Sequence, residues 1–316
     1  MKIIEFKEPI SIQKPFVLCL GFFDGFHLGH QVLIKKAKEF GLPIAIYTFN
    51  LSPKQWFLHL EERKFLDDET RNQLLEELGV EYLFIQKVDA DFFNLTPLEF
   101  IEKYLKTFAP QYLIVGEDYT FGKEAKGNVD LLKQSFSTTV VPLLKDKKGK
   151  LSTSRLIEDL NNGDISDLTH VLGRFYHLKG EVVKGYQNGR TIGFKTANMH
   201  LACPYFLPKN GVYTALAYVH QKKYMSMINV GVHPTIEPLK HPLIEVHILD
   251  FDEDIYLENI EIEIVSFIRD EKKFASLEEL KEVPKETELE DMTLEELKEQ
   301  LQKDLVTTRK ELKKYF

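Results

Sequence analysis

The sequence predicts two domains: an α/β domain built on a doubly wound parallel sheet, followed by a small antiparallel β-barrel with C-terminal helices. From residue 16 to about 141, strand-like apolar runs alternate with amphipathic helical stretches, which indicates a parallel, Rossmann-like sheet. After residue 172, short β-rich segments separated by turns take over, as in small barrels. A length of 316 residues suits two domains.

In the first half, strands are predicted at residues 16–20, 44–49, 82–85, 112–115 and 138–142, and helices near 29–40, 68–78, 97–108 and 129–134. A helical connector follows, so we place the domains at 1–155, 156–172 and 173–316. Barrel strands are predicted at 182–184, 212–220, 223–231, 243–249 and 260–267. The acidic repeat Leu-Glu-Glu-Leu-Lys-Glu at 277–282 and 294–299 indicates a solvated helix face.

Composition narrows the functional classes. The net charge of −8 argues against broad nucleic-acid binding. Cys19 and Cys203 fall in different predicted domains, so no disulfide is expected and a reducing, cytoplasmic setting fits. Residues 1–10 mix charged with apolar side chains, unlike a signal peptide, and no apolar run approaches membrane-spanning length.

The segment GFFDGFHLGH, residues 21–30, lies between the first predicted strand and the first predicted helix. Backbone amides at a helix N-terminus favour an anion, and glycines allow a polyphosphate to approach the main chain. His27 and His30 lie on one face of the first turn, where imidazoles can stabilise charge on phosphate oxygens. The predicted phosphate-binding residues here are Gly21, Phe23, Asp24, Gly25 and Gly29.

Two other interpretations of the histidine pair are possible. The pair could be half of a zinc site, although no further Cys/His cluster lies nearby in the sequence. It could also be two solvated helix histidines. The combination with Asp24 and three spaced glycines after a strand favours phosphate chemistry.

Residues 21–30 resemble the nucleotidyltransferase signature of prokaryotic bifunctional riboflavin kinase/FMN adenylyltransferases, also called FAD synthetases. The short His-x-Gly-His element also occurs in other nucleotidyltransferases, so the rest of the chain must support the assignment. The resemblance implies a nucleotidyltransferase domain with His27 and His30 as catalytic residues, followed by a riboflavin kinase barrel.

Residues 152–155, Ser-Thr-Ser-Arg, precede an amphipathic run. Their hydroxyl groups could cap a helix, and Arg155 can bind phosphate in bidentate fashion. The family's Ser-Ser-Thr-Arg motif is similar, which implies phosphate binding by Ser152, Thr153, Ser154 and Arg155. Ile157 stands where many relatives have a second arginine, so we expect weaker phosphate clamping.

Residues 116–128 follow a predicted strand and contain two glycines at P-loop spacing, but Asn128 stands where a P-loop has lysine. An ordinary strand-to-helix loop is one interpretation. Similarity to the family's second adenylyltransferase motif implies that Asp118, Phe121, Gly122 and Asn128 contact flavin or adenine. After the second strand, Asn50 and Ser52 replace the acidic residue and the histidine that many relatives carry.

Residues 185–198 form a glycine-punctuated loop of a kind that barrels also use as simple turns. Its end resembles the kinase motif Gly-Phe-Pro-Thr-Ala-Asn, with Lys195 in place of proline. The resemblance implies that Gly185, Gly193, Thr196 and Asn198 bind ATP, with Thr196 and Asn198 also holding Mg²⁺. Lys195 loosens the loop relative to proline but could add a charge near phosphate.

Residues 243–249 alternate strictly, so Glu245 and His247 share one face of a strand. Glu245 could be an ordinary solvent-facing carboxylate, but similarity to the family's Glu-x-His segment implies a general base. Upstream, His233 replaces the arginine of a further family motif, and downstream Arg269 and Phe274 are implied flavin contacts.

The expected function is therefore synthesis of flavin cofactors: riboflavin to FMN in the barrel and FMN to FAD in the first domain, with ATP and Mg²⁺. One rival interpretation is that a single activity is retained, because Lys195, His233, Ser52 and Ile157 depart from the family pattern. Another is a flavin-binding protein without turnover. The expected partners are ATP, riboflavin and FMN, and the oligomeric state, monomer or weak homo-oligomer, stays open.

Overall fold

The computed structural model describes residues 1–8, 10–183, 195–231, 243–271 and 294–316. The chain divides into two compact units. The first consists of Met1–Leu156 with Val171–Gly173, and the second of Ile157–His170 with Arg174–Phe316. The first unit is built on a parallel sheet and the second on a closed antiparallel barrel, which confirms the predicted fold class.

The first unit contains a six-stranded parallel sheet in the order β1-β4-β3-β2-β5-β6. The strands are β1 Lys2–Phe6, β2 Val17–Leu20, β3 Ile44–Phe49, β4 Val80–Gln86, β5 Tyr112–Gly116 and β6 Thr138–Val141. Five of these were predicted. Strand β1 is not among the predicted strands: it pairs with β4 at the edge of the sheet, and Lys2 and Glu5 interrupt its apolar residues without a regular alternation.

Helices cover both faces of this sheet. They are α1 Leu28–Lys38, α2 Pro53–Phe57, α3 Asp68–Glu77, α4 Ala90–Asn94, α5 Pro97–Phe100, α6 Lys106–Phe108 and α7 Val129–Ser135, with a π-helical segment Ile101–Leu105 between α5 and α6. Side chains of the central strand β2 enter a core on each face: Leu18 and Leu20 pack in one, Val17 and Cys19 in the other. This two-sided burial explains the continuous apolar runs of the strands.

After β6 the chain forms a short hairpin, β7 Lys145–Asp146 and β8 Gly149–Lys150. Two helices follow, α8 Thr153–Asn162 and α9 Ile165–Leu172, in the stretch that was predicted to be helical. The hairpin was not predicted, because two-residue strands are too short to show a periodicity.

The second unit is a closed barrel with strand order β10-β13-β12-β11-β14-β9. Its strands are β9 Tyr176–Val183, β10 Ala197–Leu201, β11 Gly211–Val219, β12 Lys222–Val230, β13 Leu243–Ile248 and β14 Asn259–Asp270. Buried apolar side chains such as Met199, Ile244 and Ile262 form its core. Helix α10, Leu294–Leu312, packs against β11 and β12. Strand β10 is not among the predicted strands, and the predicted loop at 185–198 covers its first two residues, Ala197 and Asn198.

Cys19 and Cys203 are both buried, one in each unit, and neither forms a disulfide bond. Within the described ranges, none of the helices combines the length and the apolar character needed to cross a bilayer.

Candidate active sites

A cavity of about 320 Å³ lies in the first unit, beyond the carboxyl ends of β2, β5 and β6. Its lining includes Leu20 and Gly21 after β2, Gly116 at the end of β5 and Val141 at the end of β6. This is the edge of a parallel sheet at which ligands bind. The N-terminal residues of two helices, α1 and α8, reach the same cavity. The predicted position of the GFFDGFHLGH turn is thus confirmed.

His27 and His30 lie at the start of α1, with their rings stacked at a centroid distance of 3.8 Å. His27 occupies the N-cap position, and no side chain caps the helix, so its first amides stay available to an anion. The Nδ1 atom of His30 is buried and has no hydrogen-bond partner in the described part of the chain. Burial, aided by His27 and Lys150, holds the pKa of His30 well below its usual range.

The two alternative interpretations of the pair lose support. His27 is only 7% exposed, so it is not a solvated surface histidine. Among the described residues, neither histidine belongs to a group of three potential metal ligands close enough to share an ion; the group that meets that geometric condition is Asp159, Asp164 and Asp167.

The glycines of the turn have a packing role in this structure, and their phosphate contacts stay predictions. A Cβ atom at Gly29 would lie 2.9 Å from Cε1 of His27, and one at Gly25 would lie 2.7 Å from Cδ1 of Leu156. The space beside each is filled by a side chain of the protein. Gly29 therefore leaves room for the His27 ring, and Gly25 leaves room for Leu156.

Asp24 links the glycine turn to the start of α8. Its Oδ1 accepts a hydrogen bond from the Thr153 hydroxyl at 3.1 Å and one from the amide of Gly25 at 2.7 Å. Burial raises the pKa of Asp24 to about 6. Neither Asp24 nor the fully buried Phe23 lines the cavity, and their phosphate contacts stay predictions.

The Ser-Thr-Ser-Arg segment is divided between the cavity and the interior. Ser152, Thr153 and Ser154 line the cavity, and the Ser152 hydroxyl accepts a weak hydrogen bond of 3.5 Å from the Arg155 amide. Arg155 is buried instead, and its two terminal nitrogens donate to the Asp146 carboxylate of β7, each at 2.8 Å. The phosphate contact of Arg155 stays a prediction. To make that contact, Arg155 would have to bind phosphate beside its ion pair with Asp146.

Among the predicted flavin contacts of the first unit, Asp118 lines the cavity, whereas Phe121, Gly122 and Asn128 do not. Phe121 packs in the core, and Asn128 caps α7 by accepting a hydrogen bond from the Leu131 amide at 3.1 Å. Gly122 has φ of +71°, and a Cβ atom there would lie 2.8 Å from the backbone of Pro97. Each of the three has a structural role here, and their flavin contacts stay predictions.

Sequence reasoning missed several cavity residues. Lys150 lines the cavity and forms an ion pair with Asp118. Further lining residues that were not predicted are Leu33, Tyr119, Thr120, Pro142, Leu143, Leu144 and Leu151. The one available signal was the lysine-rich turn directly before Ser152. Asn50 and Ser52, which replace family residues, serve local structure: Asn50 accepts from the Val88 amide, and Ser52 caps α2.

In the second unit, Glu245 lies on β13 between two asparagines. Asn198 of β10 is its register partner on one side, and Asn229 of β12 on the other. Register partners in antiparallel strands extend from the same face of the sheet. The neighbours of Glu245 along the strand, Ile244 and Val246, are buried in the barrel, which confirms the predicted alternation. The row Asn198–Glu245–Asn229 is a polar strip on the outer face.

Thr196 lies just before β10 and is exposed. The carbonyl of the preceding residue, Lys195, is 2.7 Å from Nδ1 of His247, and its ammonium group forms an ion pair with Asp252. Lys195 stands where the family motif has proline, and these two contacts hold the segment before Thr196. Gly185, Gly193, His233 and Phe274 lie outside the described residues.

Arg269, a predicted flavin contact, lies on β14 and binds helix α10. Its Nε and one terminal nitrogen each lie 2.9 Å from the buried Asp304 carboxylate. Gln300 donates to the same carboxylate at 2.8 Å. In this structure Arg269 attaches the C-terminal helix to the barrel, and its flavin contact stays a prediction.

Comparisons with known proteins agree in both halves of the chain. The FAD synthetase family model matches residues 10–155, and the riboflavin kinase family model matches residues 172–288. The bifunctional riboflavin kinase/FMN adenylyltransferase of Bacillus subtilis is 36% identical over 89% of this chain and 94% of its own length. The protein of that name from Listeria monocytogenes is 34% identical over the same shares.

Among solved structures, one described as a macrolide-efflux protein from Streptococcus pneumoniae is 31% identical. The match covers 98% of this chain and 99% of the other chain, with a TM-score of 0.81. The whole fold is thus found in an experimental structure, whose descriptive name differs from those of the curated relatives. The two family models and the relatives that match nearly the full length show that this chain belongs to the bifunctional riboflavin kinase/FMN adenylyltransferase family.

Proposed function

We propose that this chain makes both flavin cofactors: its barrel transfers the γ-phosphate of ATP to riboflavin, and its parallel-sheet domain transfers AMP from ATP to FMN. The observation that carries the proposal is spatial. Motif residues far apart in sequence meet in each unit: residues 20–30, 116–120 and 141–154 contribute to one cavity. Asn198, Asn229 and Glu245 form one row of the barrel.

In the barrel, Glu245 acts as the general base. It removes the proton from the terminal ribityl hydroxyl as that oxygen attacks the γ-phosphorus of ATP; the bond to the β-phosphate oxygen breaks and ADP leaves. A carboxylate is suited to this task because phosphoryl transfer depends more on alignment and charge stabilisation than on a strong base. The flanking asparagines are uncharged, so they place no second negative charge beside the attacking oxygen.

Thr196 and Asn198 offer the hydroxyl and amide oxygens that a hard cation accepts, and both lie on one side of Glu245. This donor set fits Mg²⁺, which usually keeps several waters and is bound largely through substrate phosphates. We assign Thr196 and Asn198 as its protein ligands. The ion would neutralise charge on the ATP phosphates.

In the first unit, a phosphate oxygen of FMN attacks the α-phosphorus of ATP, and the bond to pyrophosphate breaks. His27 and His30 stabilise the charge on the transferring and leaving phosphates by hydrogen bonds. Backbone amides at the start of α1 and the hydroxyl groups of Ser152, Thr153 and Ser154 support the same charge. The neutral state of His30 in the ligand-free site leaves it able to take up a proton when a polyphosphate arrives.

The remaining assignments belong to the same proposal. We assign adenylyl transfer to residues 1–155 and phosphorylation to residues 173–316, with 156–172 as a connector. Arg155 would contribute to phosphate binding, and Asp118, Phe121, Gly122 and Asn128 to flavin or adenine binding. Arg269 and Phe274 would contact flavin in the barrel.

A two-substrate assay tests the proposal. The purified chain receives ATP and Mg²⁺ with either riboflavin or FMN, and the flavin products are separated by chromatography. Formation of FMN and FAD from riboflavin, and of FAD from supplied FMN, is the expected result. If the chain catalyses only one of the two reactions, a single activity is retained. Flavin binding without ATP consumption would identify a non-catalytic flavin protein.

A further inference from the structure

Asn229, beside Glu245, has a side chain that the fold itself does not explain. Its Oδ1 atom is buried and has no hydrogen-bond partner in the described part of the chain. Burying an amide oxygen without a partner is unfavourable, because the bond to water is lost and nothing replaces it. Native structures therefore contain few such groups, and each needs an explanation.

The position of Asn229 indicates what the explanation is. It is the register partner of Glu245 across the β12–β13 pair, so the two Cβ atoms lie about 5 Å apart on the same face. Asn198 is on the other side of Glu245. Glu245 is therefore flanked by an asparagine on each side, and Asn229 is the one whose Oδ1 is buried without a partner among the described residues.

We propose that Asn229 is a substrate-binding residue of the phosphorylation site, whose side-chain amide hydrogen-bonds a secondary hydroxyl of the polyol chain that Glu245 deprotonates at its end. This inference rests on the proposed kinase function of the barrel. A polyol has several hydroxyls in a row, so a base acting on the terminal one has a neighbouring hydroxyl within reach of an adjacent residue. An amide oxygen is a good acceptor for a neutral hydroxyl.

The chemistry of the site favours an amide over a carboxylate at this position. A second carboxylate next to Glu245 would oppose ionisation of the base, because like charges in one site raise a carboxyl pKa. An amide accepts a hydrogen bond without that effect. Since Oδ1 is withdrawn from bulk water, a hydroxyl bound there satisfies an otherwise unpaired group. The bond then discriminates between a hydroxylated chain and one lacking that hydroxyl, as sites built to pair a substrate hydroxyl do.

The test compares the parent chain with Asn229→Ala, using riboflavin and its 2'-, 3'- and 4'-deoxyribityl analogues as phosphate acceptors. We expect Asn229→Ala to raise the KM for riboflavin about tenfold, the factor for losing one neutral hydrogen bond. The KM for ATP and the conversion of supplied FMN to FAD should not change. One deoxy analogue should show the same raised KM with the parent chain, and no further loss with Asn229→Ala.

The Tm of Asn229→Ala distinguishes substrate binding by Asn229 from a purely structural role. Replacing an unsatisfied buried amide by alanine should leave the Tm unchanged or raise it, whereas loss of a structural hydrogen bond would lower it. Asn259→Ala, at the exposed start of β14, is the matched control and should leave every parameter at the parent value.

The inference is overturned if the KM for riboflavin is unchanged in Asn229→Ala. The same holds if each deoxy analogue has a KM raised, relative to riboflavin, by the same factor in the parent chain and in Asn229→Ala. It is also overturned if the Tm falls and both activities decline together. If the parent chain does not phosphorylate riboflavin at all, the proposed function fails instead, so the two failures are distinguishable.

Discussion

The rings of His27 and His30 stack with centroids 3.8 Å apart and planes inclined by 19°. Two protonated imidazoles at this distance would repel each other strongly in a buried setting. The pair therefore carries at most one proton in the ligand-free protein, in line with the depressed pKa of His30. Under the proposed function, a bound polyphosphate would favour protonation of the pair, because its negative charge stabilises an imidazolium.

From this arrangement we predict that His30→Ala lowers the rate of FMN adenylylation by about two to three orders of magnitude. Formation of FMN from riboflavin should stay at the parent rate, because it takes place in the other unit. The measurement is the rate of FAD formation from supplied FMN and ATP. His59→Ala, which removes an exposed histidine of the same unit, should have the parent rate. A His30→Ala variant with parental FAD formation would refute the role of this histidine.

In the barrel, Glu245→Gln should lower FMN formation by about two to four orders of magnitude, the usual contribution of a general base. Glutamine keeps the size and polarity of the side chain, so the row with Asn198 and Asn229 is preserved. Conversion of supplied FMN to FAD should not change.

Glu181→Gln on β9 is the matched control, because Glu181 is exposed and lies on another strand of the same barrel. Loss of both activities in Glu245→Gln would indicate damage to the fold. Retention of both would show that Glu245 is an ordinary surface carboxylate.

Asp146→Asn tests whether the ion pair of Asp146 with Arg155 is structural. Both nitrogen–oxygen contacts are 2.8 Å, and the Arg155 side chain is 8% exposed. Weakening a nearly buried pair leaves a poorly compensated charge, so we expect a loss of about 2 kcal/mol in the free energy of unfolding. The measurement is urea unfolding of the parent and variant.

Asp130→Asn, whose partner Lys133 is also exposed, should change this free energy little. Equal stability of parent and Asp146→Asn would show that this ion pair contributes little to the stability of the fold.

The sequence predicted the sheet, the barrel and the location of the histidine pair because each depends on local patterns. Alternation of Ile244, Glu245 and Val246 determines which side chains enter the barrel, and a glycine turn after an apolar strand determines where His27 lies. These features require only a periodicity of two or 3.6 residues and a known edge of the sheet.

Features that depend on tertiary pairing could not be predicted. The direction of Arg155 depends on Asp146, which is brought close by a hairpin of two-residue strands. The role of Gly29 follows from the His27 ring packing against it, which no sequence pattern reveals. The sequence could not predict that Asn229 lies beside Glu245 either, because this depends on the register of β12 and β13.

Asp24 provides a pH-dependent test of its own burial beside the glycine turn. Burial raises its pKa from 3.8 to about 6, so between these values the folded protein keeps a proton that the unfolded chain has released. The stability contributed by the neutral carboxyl is therefore lost as pH rises through about 6, and above that pH the fold carries a buried charge. In an Asp24→Asn variant the amide cannot ionise, and its oxygen can still accept the hydrogen bond from Thr153.

We therefore expect the stability of Asp24→Asn relative to the parent to rise by about 2 kcal/mol in the free energy of unfolding between about pH 4.5 and about pH 8. The protein has a single tryptophan, Trp56, which lies in the same unit, so its fluorescence in urea reports on that unit. Comparing variant with parent at each pH cancels the titration of all other groups, including His30. A stability difference of equal size at both pH values would show that Asp24 does not titrate in this range, and that its hydrogen bonds to Thr153 and Gly25 outweigh its burial.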